Sequence, residues 1–106
     1  MANNQFLKYY VDKTFKRCYE HPFRRNINVH EIIHVVEVHE TFDDLFLRVK
    51  IYNLNFDSNA TPVGLLSQDS LVISISQLNS WNKKLITNSE WRYYKGILIC
   101  WGVKLD

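Results

Sequence analysis

His30-Glu31-Ile32-Ile33-His34 is the string in this chain whose residue types and spacing could do chemistry. On an α-helix, positions i and i+4 share a face, so both imidazoles would reach one Zn²⁺ while Glu31 took a proton from a metal-bound water. On a β-strand His30 and His34 still share a face, but Glu31 points to the other side and cannot serve their water. Composition favours the strand. Val29, Ile32, Ile33, Val35 and Val36 are β-branched, and such side chains lose freedom in a helix but fit a pleated surface.

Two further groups of residues carry chemistry. Lys13, Lys16, Arg17, Arg24 and Arg25, with Tyr19 and Phe23 nearby, are the types that hold phosphates and stack on unpaired bases, which makes single-stranded nucleic acid a candidate ligand. Trp91-Arg92-Tyr93-Tyr94 is the densest run of residues that dominate protein interfaces. Cys18 and Cys100 fall among apolar neighbours and are expected to be reduced, buried thiols rather than nucleophiles. There is no G-x-S-x-G elbow, and the three glycines are too scattered for a phosphate loop.

In its flanks as well as its core, the string around His30, Glu31 and His34 resembles the active-site helix of the zincin metallopeptidases, over about ten residues. The resemblance implies ligand, general base and ligand for those three positions. It departs from the metzincin continuation, which calls for a glycine and a histidine where this chain has Glu37 and Glu40, and His39 is out of register for the same helical face. A third ligand is missing, so no catalytic residue, metal site or cofactor is assigned.

The elements that must position these residues follow from periodicity. Asn4 to His21 is predicted as an N-terminal helix, with Leu7, Val11, Thr14 or Phe15, and Cys18 on one stripe, a capping asparagine at Asn3 or Asn4 and Pro22 after it. Val29 to Phe56 is predicted as an antiparallel hairpin around Thr41-Phe42-Asp43-Asp44, its second arm alternating Leu45, Leu47, Val49 and Ile51 with Phe46, Arg48, Lys50 and Tyr52. Asp57 to Asp69 reads as a connection with a short strand at Val63–Leu66. Leu71 to Ile75 reads as a strand, and Ser76 to Leu85 as a short helix with Leu78, Trp81 and Leu85 on one face. Trp91–Tyr94 and Ile97–Leu105 are predicted as strands joined at Lys95-Gly96. The expected fold is thus a single α+β domain over residues 1–106: an N-terminal helix, then a mainly antiparallel sheet with closure into a barrel left open, and a second short helix.

At 106 residues, 46% hydrophobic and 23% charged, the chain is long and apolar enough to bury one core. A net charge of +2 excludes binding that rests on overall charge alone. Two cysteines do not make a secreted disulfide framework, and neither a signal peptide nor an apolar run of membrane-spanning length is visible, so a cytoplasmic protein is expected. The excess of Asn, Ile, Lys, Tyr and Phe matches an AT-rich coding sequence such as that of a phage or virus. The functional expectation is a non-enzymatic protein that binds another protein or its own copies. Trp91, Arg92 and Tyr94 would be its contact residues on an edge strand, with Arg92 and Tyr94 facing the partner. Nucleic-acid binding is the first alternative and zinc peptidase chemistry the second.

Overall fold

From Asn28 to Phe56 aliphatic residues dominate, and each such strand needs a partner to satisfy its backbone. In the computed structural model, which describes residues 9–42 and 44–105, this stretch forms a long antiparallel hairpin, β2 (Asn28–Glu40) with β3 (Leu45–Phe56). The hairpin closes on Thr41–Asp44, where the Thr41 N–H donates to the Asp44 carbonyl at 2.8 Å. A bulge at Val36 shifts the register beyond Val35. Around this pair are added β1 (Thr14–Glu20), β4 (Pro62–Ser74) and the two-residue β5 (Lys84–Leu85), giving the order β4-β3-β2-β1-β5 with every pair antiparallel. Two helices complete the described residues, α1 (Ile75–Ser80) and α2 (Asn88–Cys100).

Alternation divides the sheet into two covered faces. Ile33, Val35, Leu47, Val49, Ile51 and Ile73 form a core with Phe15 and Tyr10 that Leu78 of α1 covers. Ile32, Tyr52, Leu54 and Phe56 point the other way and pack under Tyr94 and Leu98 of α2. Because both faces are covered there, all six residues from Ile51 to Phe56 are buried, and the strict in–out pattern of the first half of β3 is lost.

Four expectations are overturned. Of the predicted Asn4–His21 helix, residues 4–8 lie outside the described residues, Tyr9 and Tyr10 are helical, and Thr14–Glu20 is strand. Asp12 sits at φ 61°, a left-handed geometry that ends the helical turn, and β1 then takes its hydrogen bonds from β2, from Thr14 opposite His34 to Glu20 opposite Asn28. The fold therefore has no N-terminal helix of the predicted length, and the sheet is open rather than a barrel. Asp57–Asp69 is not a connection: the loop is only residues 57–61, and β4 runs for 13 residues from Pro62. Trp91–Tyr94 and the stretch from Ile97 to Cys100 are helix, not strand. Cys18 and Cys100 are exposed free thiols, contrary to the expected burial.

Candidate functional site

Helix α2 starts and stops on local signals. The Thr87 hydroxyl accepts the Glu90 N–H at 3.1 Å, the first half of a T-x-x-E capping box. At the other end the Gly102 N–H reaches the Ile99 carbonyl at 3.0 Å and the Val103 N–H the Leu98 carbonyl at 2.9 Å, with Gly102 at φ 81°, which is the Schellman pattern. Between these ends Trp91, Tyr94 and Leu98 recur at helical spacing and face the sheet.

This face is not purely apolar. Glu90 pairs with Lys16 of β1, and Lys16 also hydrogen-bonds the Tyr94 phenol, which in turn lies 2.8 Å from Nδ1 of His30. An ammonium has hydrogens only to give, so the Tyr94 oxygen accepts from Lys16 while it shares a second hydrogen bond with His30 Nδ1. Burial pulls the Lys16 pKa down, but the bonds to Glu90 and Tyr94 outweigh it and hold it above its ordinary value. Burial raises the Tyr94 phenol, against the pull of Lys16. Four residues along β2, His34 Nδ1 is 2.8 Å from the Thr14 hydroxyl and its ring stacks on Trp91 at 4.7 Å. Burial lowers the pKa of both histidines, and the Lys16 ammonium adds to the effect at His30. The result is a closed polar seam between sheet and helix, its titratable groups engaged with one another.

The H-E-x-x-H string lies on β2, and that geometry removes its hydrolytic chemistry. At about 3.3 Å per residue, His30 and His34 are about 13 Å apart, whereas ligands of one Zn²⁺ sit about 2 Å from the metal. Glu31 is on the opposite face, 8% exposed and ion-paired with Arg17, whose guanidinium stacks over Trp81 at 5.7 Å. Among the described residues no three metal-ligating side chains come together.

The residues expected at a partner interface are divided by α2. Arg92 is exposed, Trp91 is half-buried on His34, and Tyr94 is 2% exposed in the core. Arg92 and Tyr94 therefore do not form one contact surface, and the expected edge strand at this place is a helix. The basic residues are dispersed too. Lys16 and Arg17 lie on opposite faces of β1 and are engaged by Glu90 and Glu31, and Lys13 precedes β1 with its ammonium over the Tyr9 ring. Arg24 and Arg25 are exposed in the β1–β2 loop, beside the 91% exposed Phe23 and an open hollow of about 610 Å³. The five do not make one phosphate-binding surface.

A different element stands out, one the sequence expectation divided into loop and strand. β4 is an outer strand of the sheet, and no described residue pairs with its far side. Every residue from Leu66 to Val72 is exposed, including Leu66 at 45%, Leu71 at 43% and Val72 at 62%. Bulges at Val63 and Leu66 break its first part, whereas the stretch from Ser67 to Ser74 pairs with β3 without a break. Only Asp69 is charged there, and no lysine, proline or bulge guards the edge. The opposite side differs, since β5 is two residues long and carries Lys84. The signal was present as Val63–Leu66 and Leu71–Ile75; what hid it was the polar Ser67-Gln68-Asp69-Ser70 between them, which is what a strand exposed on both faces looks like.

Among the described residues no helix is long and apolar enough to cross a membrane. Compared with protein-family models, with curated proteins and with solved structures, the chain matches none.

Proposed function

We propose that this is a non-enzymatic, cytoplasmic protein that works by binding another polypeptide, and that it does so by adding an extended strand to β4. The observation that carries this reading is the edge from Ser67 to Ser74, which no described residue pairs, exposed on both faces as far as Val72 and with one charge. A row of free N–H and C=O groups on a rigid sheet recognises any extended backbone, and the side chains to either side set the preference. Leu71 and Val72 supply apolar contact on the two faces. The seam under α2 supports the same reading from the other direction: its titratable groups are engaged with one another, which suits a structural role.

The test uses a capped, fluorescent peptide of residues 65–74 as the strand donor. Its anisotropy should rise with wild-type protein. Successive side chains of β4 alternate, and so do its backbone groups, so of Ser70→Pro and Leu71→Pro one removes an N–H bonded to β3 and the other an N–H on the free edge. The free-edge variant should keep its melting temperature and lose the peptide. Equal binding by both folded variants, or none by wild type, refutes the reading.

A further inference from the structure

We infer that the strand β4 receives is the β4 of a second copy, in a two-fold dimer whose antiparallel pairing is centred on Leu71 and whose sheets merge into one of ten strands. This rests on the reading of β4 as a strand-accepting edge and names its occupant. Two identical chains paired this way in one sheet are related by an axis perpendicular to the sheet, so each face of one copy continues the same face of the other. Opposed residues then have the same parity. Leu71 and Asp69 lie on the α1 side, opposite Val49 and Ile51 of β3, while Val72, Ser70 and Gln68 lie on the α2 side, opposite Arg48, Lys50 and Tyr52.

Parity, charge and length of overlap together favour one register, since centring on Val72 shortens the pairing to residues 70–74 and centring on Gln68 runs into the bulge at Leu66. Centring on Asp69 sets two carboxylates face to face, and centring on Ser70 sets Asp69 against the partner's Leu71. Centring on Leu71 joins two half-exposed leucines on the α1 side and sets Val72 against the partner's Ser70 on the other. It also holds the two Asp69 carboxylates four residues, about 13 Å, out of step. Its overlap, Gln68 to Ser74, ends before the bulge at Leu66. The occupant must itself be a nearly uncharged extended strand with a free edge, and among the described residues there is one such strand. An interface of a single strand pair is small, so the dimer should form on the order of micromolar protein rather than nanomolar.

Disulfide trapping reads the register directly. In a Cys18→Ser, Cys100→Ser background, Leu71→Cys puts two thiols on an antiparallel pair whose Cα atoms are about 4.5–5.5 Å apart, within disulfide reach. Ser70→Cys and Asp69→Cys place theirs at least two residues out of step, beyond about 7 Å. With oxidised glutathione, Leu71→Cys should give a covalent dimer at least tenfold faster than either, and light scattering should show wild type passing from monomer to dimer with concentration. A dimer trapped best through Ser70 or Asp69 overturns the register. A monomer at all concentrations overturns the dimer, and the labelled peptide then separates two failures: if it still binds β4 the strand-accepting reading stands without this occupant, and if it does not, both fall.

Discussion

Tyr94 offers the sharpest contrast between a contact surface and a core, because Tyr94→Phe removes one oxygen and nothing else. The ring would keep its edge contact with Phe56 at 6.2 Å and its place among Ile32, Leu54 and Leu98. What is lost is the bond to His30 at 2.8 Å and the acceptor for Lys16. A hydrogen bond is worth about 1 kcal/mol net, but leaving the half-buried His30 nitrogen without its partner raises the cost to about 1–3 kcal/mol. For a chain of 106 residues that is a fall in Tm of about 5–15 °C. Tyr94→Ala also empties the ring's site, for about 3–5 kcal/mol, whereas Arg92→Ala, on the exposed side of the same helix, should stay within about 0.5 kcal/mol. Denaturant unfolding of Tyr94→Phe, His30→Ala and the double variant then gives the coupling, expected at about 0.5–3 kcal/mol. A Tyr94→Phe protein as stable as wild type, with no coupling to His30, refutes the seam as drawn.

Other consequences are checked by the same unfolding measurements. Gly96 lies mid-helix in α2 without a left-handed φ, and a methyl group added there would meet no atom within 4 Å, so Gly96→Ala should stabilise by about 0.5–1 kcal/mol; a loss would mean that Gly96 sits in a turn. Thr87→Ala removes the cap of α2 and should cost about 1 kcal/mol, with Thr87→Ser largely restoring it. His30 and His34 have pKa values lowered by burial, so below the ordinary histidine value of 6.5 the unfolded chain takes up protons that the folded one resists. Stability should therefore be fully present above that value and fall on going from about pH 7.5 to about pH 5.5, with a shallower fall in His34→Gln; a flat profile would contradict the buried, neutral histidines. Adding a chelator should leave the melting curve unchanged, since the two imidazoles cannot share an ion across about 13 Å of strand.

The sequence was most legible where a local pattern and a tertiary partner agree. Leu47, Val49 and Ile51 alternate because one face of β3 lies on a core, and the hairpin at Thr41–Asp44 has flanking strands that pair with each other. Leu78 faces inward as its spacing indicates. Elsewhere residue type misled. Trp91, Tyr93, Tyr94, Ile97 and Ile99 are β-favouring types, and their near-alternation outweighed two punctuation signals that were there to be used: Thr87-x-x-Glu90 at the start of α2 and Gly102 just past its end. Ser74-x-x-Gln77 opens α1 in the same way, with the Ser74 hydroxyl accepting the Gln77 N–H at 3.0 Å. In the first segment, Leu7, Val11, Phe15 and Cys18 satisfied helical spacing, and Thr14 to Glu20 shows no apolar–polar alternation that would argue for a strand instead. Only the unfilled edge of β2 made it one.

By itself, then, the sequence determined the central hairpin, through a two-residue period that specifies which side chains of the first half of β3 go inward, while the caps of α1 and α2 act within four residues but did not by themselves mark Trp91–Cys100 as helix. Tertiary structure alone decided that Glu31 would face Arg17 while its neighbouring histidines faced α2, that Tyr94 would be core while Arg92 stayed in water, and that β4 would be left with an open side. Each of these depends on which strand or helix lies across the sheet, and that choice is made by burial and backbone pairing between residues far apart in the chain, where a local period carries no information.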